Sequence, residues 1–447
     1  MDEPQAIKAK TSRRGLILKA GAVAGGAALA TATGRRYATA TASGPTVIVK
    51  GNSRRLQGDT LTVAYMESGT YDAAARAIAP EFEEAHGVAV EVVAFPYQNL
   101  HDNVATDLVT GTGAYDVIDV AFQWDGEFAP YLVPLDDMVA RDGIDGDLFI
   151  PNQWALSGLW DGKRMGIPNA NDAMGILYRT DLYEAAGVEP PATWQQYNEN
   201  AAKLTADGIY GASWVGLGEQ LQAYWLSRYW EQGQPLCDEN WRPLFNNAEG
   251  VKAIELLREA LPYTPAGMPG WGIPEHKNAV LNGEVAQAEL WPSFIRADAR
   301  NAEISKIVDK WALSPFPGPS ELSAWNLAIP ATSQKQDMAW EWIKMYTSPE
   351  NAKRFALEFG IGSPQLATWS DPELLELYPE YPVILEAIQA GKPIWRIPQF
   401  PAAWDILQKE LERTVYQGAD PQQTLDTIAA EWNKLLDSNP PTATYVE

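Results

Sequence analysis

The chain has 447 residues, 46% of them hydrophobic and 21% charged, which excludes a disordered protein and suits two domains of moderate size. The formal net charge is −24; residues 1–58 hold ten Lys/Arg and two Asp/Glu, so residues 59–447 hold 24 basic and 56 acidic side chains. A body this acidic repels phosphate backbones, which argues against nucleic acid as a partner. The single cysteine, Cys237, excludes an internal disulfide and a cysteine metal cluster.

The N-terminus has the pattern of an export signal. Arg13 and Arg14 precede a short, mild apolar run, Ala20–Ala32, made almost wholly of Ala, Gly, Val and Leu. This pattern is typical of twin-arginine signals, and the run is too short and glycine-rich for a good membrane span. We predict a twin-arginine signal over residues 1–42 and a linker over 43–58. The mature protein is then expected in the periplasm or at the cell surface.

The next hundred residues alternate between strand and helix patterns. The predicted strands are Leu61–Met66, Val88–Phe95 and Asp116–Phe122, and the predicted helices are Tyr71–His86 and Tyr97–Thr110. Strand, helix, strand, helix, strand predicts a parallel sheet with helices packed on it. Pro80 lies inside the first helix and predicts a kink or a break there.

A second unit of strands and helices follows, and the later chain is mostly helical. Gly175–Arg179 and Ile209–Val215 are the strand candidates, and Thr193 can cap a helix between them. The pairs Ser348-Pro349 and Asp420-Pro421 each place a capping side chain before a proline, which predicts two further helix starts. The fold class indicated is α/β.

The sequence has no motif for covalent, metal or cofactor chemistry. Its three histidines, His86, His101 and His276, have no metal-ligand spacing. It contains no nucleophile elbow, phosphate loop or dinucleotide fingerprint. We therefore predict a protein that is not an enzyme and needs no metal or cofactor. Two carboxyl groups need no linear motif, so a secreted glycan-cleaving enzyme stays an alternative.

Aromatic residues beside polar ones point to a ligand. Among the 18 tryptophans, Trp124-Asp125, Trp214, Trp291 and Trp325-Asn326 stand at predicted strand ends or loops. Sugars present flat C–H faces that stack on aromatic rings, and their hydroxyls need fixed polar partners. Ligands of open α/β sheets bind beyond the carboxyl ends of strands, where Glu67, Trp124 and Asp125 fall. For each tryptophan, core packing is the open alternative.

Residues 177–211, LYRTDLYEAAGVEPPATWQQYNENAAKLTADGIYG, resemble the extracellular solute-binding proteins of ABC-type sugar importers (maltose-binding-protein-like, family 1). Leu281–Ala286, Pro315–Gly318 and Gly360–Pro364 resemble further segments of that family. The resemblance covers residues 59–437. It implies a two-lobed periplasmic-binding-protein fold, type II-like, with a hinge between two α/β lobes.

The resemblance also implies the lobe boundaries and the cleft. Lobe 1 would comprise 59–170 and 316–360, lobe 2 would comprise 171–315 and 361–437, and 438–447 would be a tail. The implied cleft positions are Glu67, Trp124, Asp125, Asn171, Asp172, Tyr224, Trp291, Trp325, Asn326 and Gly362. Ile397-Pro398-Gln399 and Trp404 resemble a sugar-stacking segment, which makes Trp404 a stacking candidate and Arg396 a candidate for hydroxyls or a ligand carboxylate.

The function implied is high-affinity binding of a mono- or oligosaccharide or a polyol. A monomer would deliver it to a membrane permease that works with a cytoplasmic ATPase. A receptor for glycerol phosphate or another anionic solute is the alternative. It needs at least two cationic side chains in the cleft, whereas Arg396 is the one candidate and the acidic body would repel such a ligand.

Overall fold

The computed structural model describes residues 60–441. This part of the chain contains ten strands and eighteen α-helices. The strands are β1 (Thr60–Met66), β2 (Ala89–Phe95), β3 (Val117–Ala121), β4 (Leu159–Trp160), β5 (Lys163–Arg164), β6 (Gly166–Asp172), β7 (Gly175–Arg179), β8 (Gln287–Leu290), β9 (Trp311–Pro315) and β10 (Ser323–Ala328). The predicted export signal, the linker over 43–58 and residues 442–447 of the predicted tail lie outside the described residues.

The helices carry the longest regular segments of the chain. They are α1 (Tyr71–His86), α2 (Tyr97–Thr110), α3 (Asp125–Phe128), α4 (Asp136–Asp142), α5 (Pro151–Leu156), α6 (Thr180–Ala186), α7 (Trp194–Leu204), α8 (Gly218–Trp230), α9 (Ala248–Ala260), α10 (Ile273–Leu281), α11 (Arg296–Ala299), α12 (Gln336–Tyr346), α13 (Pro349–Phe359), α14 (Leu366–Trp369), α15 (Pro372–Leu377), α16 (Tyr381–Ala390), α17 (Phe400–Gln417) and α18 (Pro421–Ser438). Within residues 60–441, no helix has both the length and the apolarity that a membrane crossing requires.

The first sheet has the strand order β2-β1-β3-β10-β6. β1 runs parallel to β2 and β3, as predicted, but β10 runs antiparallel to both β3 and β6, so the complete sheet is mixed. The prediction missed this because β10 joins from about two hundred residues away along the chain. The carboxyl ends of β1, β2 and β3 share one edge of the sheet, and α1 and α2 begin just beyond it.

Helix α1 is continuous through its proline. Ala74, Ile78 and Phe82 form its buried face against the first sheet. The predicted break does not occur at Pro80, because Pro80 and Arg76 both lie on the exposed face. There, water can satisfy the carbonyl that loses its helical donor.

The second sheet, β8-β7-β9, is antiparallel. The strand predicted for Ile209–Val215 was wrong: the segment makes isolated bridges at Ile209 and Tyr210 but no ladder. It packs instead against helix α7, where a Cβ on Gly211 would stand 1.9 Å from the backbone oxygen of Ala201. Hydrophobic alternation cannot distinguish such a buried connection from a strand.

The predicted helix caps are confirmed. The Thr193 hydroxyl accepts a hydrogen bond from the Gln196 N–H at 3.1 Å and begins α7. Ser348 and Asp420 cap α13 and α18 in the same way, at 3.2 and 2.8 Å. These are local interactions between residues three apart, which sequence patterns predict well.

Within residues 60–441, the chain passes between the first and second sheets three times; β4 and β5 form a separate two-stranded sheet. β6 leads through residues 173–174 into β7, and β9 leads back through 316–322 into β10. After α13, the chain runs beside β6, where the Asn171 N–H donates to the Gly362 oxygen at 2.9 Å. These crossings bring the ends of strands from both sheets together. The lobe boundaries stay a prediction.

Candidate ligand-binding site

Four aromatic rings meet at the carboxyl edge of the first sheet; we call Tyr71, Tyr97, Trp124 and Trp325 the aromatic cluster. Tyr71 and Tyr97 are the first residues of α1 and α2, Trp124 follows β3, and Trp325 lies on β10 opposite Ala121. Trp325 contacts all three other rings edge-on, with centroids 5.7 to 6.0 Å apart. Such edge-to-face pairs hold rings in defined orientations, so the cluster is a rigid apolar platform.

The two tyrosines are the more accessible members of the cluster. Trp124 is 2% exposed and Trp325 is 7% exposed, whereas both tyrosines are half-buried. The Tyr97 hydroxyl accepts a hydrogen bond from the Gln123 amide at 2.9 Å. The platform therefore combines ring faces with polar groups at its rim, which suits a ligand with both C–H and hydroxyl surfaces.

A buried carboxyl group lies in the same sheet. Asp119 on β3 is 0% exposed; it accepts hydrogen bonds from the Asn169 amide at 3.1 Å and the Met66 N–H at 3.4 Å. Burial raises the pKa of Asp119 to about 7, and the two hydrogen bonds oppose this shift. Asp119 therefore changes its protonation near neutral pH and can act as either donor or acceptor.

Asp172 and Arg296 connect the two sheets. The Asp172 carboxylate, at the end of β6, accepts the Ser293 N–H at 3.1 Å from the loop after β8. Arg296 is 1% exposed, donates to the Gly360 oxygen and stacks 4.5 Å over the Tyr378 ring. Burial raises the pKa of Asp172, and the charge of Arg296 opposes the shift. The Ser293 hydrogen bond thus links the end of β6 to the loop after β8, and the charge of Arg296 acts on the same carboxylate.

Tyr71 joins this polar group to the aromatic cluster. Burial and then the carboxylates of Asp119 and Asp172 raise the pKa of Tyr71, while Arg296 lowers it. Tyr71 therefore feels charged groups from β3, β6 and α11. Charges of both signs thus act on this member of the aromatic cluster.

The crossing at Asn171 carries buried polar atoms. Asn171 is 1% exposed, and neither its amide oxygen nor its nitrogen has a hydrogen-bond partner among the described residues. The same holds for Oδ1 of Asn169 and Nε of Arg296 within residues 60–441. Buried polar atoms are costly unless a partner satisfies them, and a hydroxyl-bearing ligand offers both donors and acceptors. Gly362 belongs to this crossing, since a Cβ there would stand 2.1 Å from the Asn171 backbone oxygen.

Trp291 stands in the loop after β8, two residues before Ser293. It is half-buried, and its indole N–H donates to the Gln220 side chain on α8 at 3.2 Å. Through Ser293, the same loop contacts Asp172. The structure therefore brings the loop that carries Trp291 to Asp172, next to Asn171 at the crossing; ligand contact by Trp291 stays a prediction.

Three further predicted residues form a buried network. The Asn326 amide donates to Asp125 Oδ1 at 3.0 Å, and Arg396 lies 3.5 Å from Asp125 Oδ2. Arg396 also donates to the backbone oxygens of Leu156 and Leu159, at 2.6 and 3.2 Å. Burial raises the pKa of Asp125 to about 6, against the effect of Arg396 and Asn326. These contacts join the first sheet to the segment before α17; ligand contact by the three residues stays a prediction.

Among the remaining predicted residues, Trp214, Tyr224 and Trp404 pack against rings outside the aromatic cluster, whereas Glu67 lies at the carboxyl edge of the first sheet. Trp214 and Tyr224 are fully buried with their centroids 6.2 Å apart, and the Trp214 indole donates to the Tyr416 hydroxyl at 3.0 Å. Trp404 is half-buried on α17 with its ring 4.9 Å from Phe400, and Glu67 is exposed directly after β1. Their roles as ligand contacts stay predictions.

Sequence reasoning missed Tyr71, Tyr97, Asp119, Ser293 and Arg296. For three of them a signal was present. Tyr71 and Tyr97 each begin a helix just after a predicted strand, and Asp119 is a carboxylate inside a strand otherwise apolar. Ser293 and Arg296 carry no such signal, because only the approach of the second sheet brings them to Asp172.

Comparison with known proteins places these features in a family. The family described as bacterial extracellular solute-binding protein matches residues 67–353. A probable amino-acid ABC transporter periplasmic-binding protein of Sinorhizobium fredii is 30% identical over 335 residues, 73% of this chain and 77% of the relative. A mannitol-binding protein of Pseudomonas aeruginosa is 27% identical over 384 residues, 77% of this chain and 85% of the relative.

The solved structure of maltose-bound T. maritima MalE3 is similar with a TM-score of 0.77 and 25% identity, over 84% of this chain and all of that one. This similarity confirms the predicted two-lobed α/β fold. The family match spans more than half of the sequence and includes every strand of the first and second sheets except β1. The chain belongs to the family of bacterial extracellular solute-binding proteins.

Proposed function

We propose that this protein binds a mono- or oligosaccharide or a polyol outside the cytoplasm and delivers it to the permease of an ABC importer. The observation that carries the proposal is the aromatic cluster lying beside buried polar groups from both sheets. Support comes also from the similarity to a mannitol-binding protein and a maltose-bound structure.

The chemistry of the site fits an uncharged, hydroxyl-rich ligand. Ring faces of Tyr71 and Tyr97 would take the C–H surface, and Asn171 and Asp172 would take hydroxyls. Since the aromatic cluster belongs to the first sheet and Trp291 to the loop after β8 of the second sheet, a ligand that contacts both gains its full set of contacts only when the two sides are closed. Binding would therefore favour the closed state that a permease recognises.

We further propose that the protein leaves its ligand chemically unchanged and that a twin-arginine signal exports it. Its partners would be the membrane subunits of the importer and their cytoplasmic ATPase. Within residues 60–441, the crossing offers the rival anionic ligand Arg296, whose Nη2 donates to the Gly360 oxygen and whose charge already acts on Asp172.

Calorimetry against a ligand panel tests the proposal. The panel contains D-mannitol, ribitol, maltose, arabinose oligosaccharides, glycerol 3-phosphate and the L-amino acids. The amino acids are included because the S. fredii relative is named a probable amino-acid binding protein. We expect one sugar or polyol to bind with a Kd on the order of 1 μM or below. Mass spectrometry should then recover that ligand intact.

Two outcomes would overturn the proposal. One is binding of amino acids or of glycerol 3-phosphate with no binding of any sugar or polyol. The other is a bound sugar recovered as cleavage products, which would favour a glycan-cleaving enzyme.

A further inference from the structure

His101 contacts the Trp124 ring of the aromatic cluster and lies between the carboxylates of Asp102 and Glu127. Its ring centroid is 5.2 Å from that of Trp124 and 5.5 Å from that of Phe128. Its Nδ1 is 3.0 Å from Asp102 Oδ1, and its Nε2 is 2.8 Å from Glu127 Oε2. The side chain is 10% exposed. His101 thus ties α2, which carries Asp102, to α3, which carries Glu127 and follows Trp124.

The hydrogen bonds favour the charged form of the ring. An ionised carboxylate only accepts hydrogen bonds, so the contacts at Nδ1 and Nε2 are both satisfied when the ring carries two protons, as an imidazolium. Asp102 is 65% exposed, and the hydrogen bond from His101 lowers its pKa, so it stays ionised. The other charged group acting on the ring is Glu127 on α3; Trp124 and Phe128 supply uncharged faces. Burial lowers the pKa of His101, but the two carboxylates raise it further, and the net shift is upward.

We propose that His101 is a positioning residue: its imidazolium holds the Trp124 ring in the aromatic cluster, and ligand affinity falls when the ring loses its proton. A cation within about 6 Å of an indole centroid is attracted to the ring, and the His101 ring lies 5.2 Å from that of Trp124 at an interplanar angle of 59°. The part concerning affinity rests on the proposed function, whereas the charge of His101 and its hold on Trp124 do not. Because the folded pKa lies above the usual 6.5, the hold is complete at low pH and is lost as pH rises through the folded pKa.

The charge is measurable by NMR, because the chain has only three histidines. We expect three imidazole signals, each of which either shifts with pH or stays constant. The signal that disappears in His101→Gln belongs to His101, and its titration midpoint should lie above pH 6.5. Glu127→Gln should lower that midpoint, since it keeps a hydrogen-bond acceptor but removes a charge. His86→Gln is the matched control and should leave it unchanged. A His101 midpoint at or below 6.5 would overturn the proposal.

The hold on Trp124 is measured by fluorine NMR of protein labelled with 5-fluorotryptophan. The signal lost in Trp124→Phe should shift with the midpoint of His101. In His101→Gln the shift should vanish; should that variant not fold, Glu127→Gln must move both midpoints together. A Trp124 signal that does not respond to pH refutes the positioning role.

Affinity completes the test, with D-mannitol as the first probe and the other panel sugars after it. Between one pH unit below and one above the His101 midpoint, we expect Kd to rise roughly threefold to tenfold. The rise should be absent in His101→Gln. If no sugar binds while the fluorine signal of Trp124 still shifts at the His101 midpoint, the proposed function is wrong, but the hold of His101 on Trp124 is confirmed. A sugar that binds with pH-independent affinity, despite that titration, overturns the coupling to ligand.

Discussion

Trp325 is the central ring of the aromatic cluster, and replacing it separates packing from ligand binding. Trp325→Leu removes edge-on contacts with Tyr71, Tyr97 and Trp124 but keeps an apolar side chain on β10. Each lost ring pair stabilises by about 0.5–1.5 kcal/mol beyond area burial, and the smaller side chain leaves a cavity. We expect the free energy of unfolding to fall by about 2–4 kcal/mol, measured by urea titration.

The same substitution should weaken ligand binding. Without Trp325 the neighbouring rings are free to adopt other rotamers, so the platform must be ordered during binding. We expect Kd for the best-binding panel sugar to rise about tenfold or more, measured by calorimetry under conditions where the variant is folded.

Trp432→Leu is the matched control. Trp432 is 1% exposed on α18, with its ring 4.3 Å from that of Trp395, and it belongs to the helical core rather than to the cluster. It should lose stability to a similar extent and keep the native Kd. Equal affinities for the two folded variants would refute the assignment of the aromatic cluster as the ligand platform.

Three further changes have defined outcomes. Glu289→Leu leaves the fully buried charge of Arg228 without the carboxylate that binds it at 2.7 and 2.9 Å, so the free energy of unfolding should fall by about 3–5 kcal/mol in urea. Burial raises the pKa of Asp119 from 3.8 to about 7, so the folded protein binds this proton more tightly than the unfolded chain does, and stability falls as pH rises from 3.8 to 7. Asp119→Asn should therefore gain stability relative to the native protein across that window, measured by urea unfolding at several pH values. Gly362→Ala should lose about 2 kcal/mol or more by thermal unfolding, because its Cβ would stand 2.1 Å from a backbone oxygen, whereas Gly270→Ala, with open space around it, should not.

Each of these has a contradicting result. If the change at Glu289 were neutral, the buried ion pair would not hold the second sheet to α8. A difference between Asp119→Asn and the native protein that is the same at pH 4 and pH 8 would show that the carboxyl is not protonated by burial. Equal melting temperatures for the two glycine variants would show that the crossing adjusts without strain.

Local interactions explain why much of the fold was predictable. The caps at Thr193, Ser348 and Asp420 join residues three apart, and the limits of α1 and α2 match their patterns. The strand predicted for Ile209–Val215 failed because its backbone hydrogen bonds to Glu284, Ala286 and Glu289 are too scattered to form a ladder, and the local pattern does not predict how a segment pairs.

The tryptophans show the same difference between what local sequence predicts and what it does not. Trp214 and Trp325 both stand in apolar, strand-like segments, yet Trp214 lies inside the core and Trp325 joins the aromatic cluster. What separates them is the register of β10 against β3, which sets Trp325 opposite Ala121. No feature within a few residues of either tryptophan encodes that register.

The sequence by itself determined α1, α2, the caps of α7, α13 and α18, the first three strands and the kind of chemistry available, since these depend on neighbours along the chain. Only the tertiary structure decided which side chains meet: β10 brings Trp325 to Trp124, and the chain crossings bring Arg296 and Ser293 to Asp172. The physical reason is that ring stacking and charge pairing act over a few ångströms in space, between residues that can be far apart in the chain.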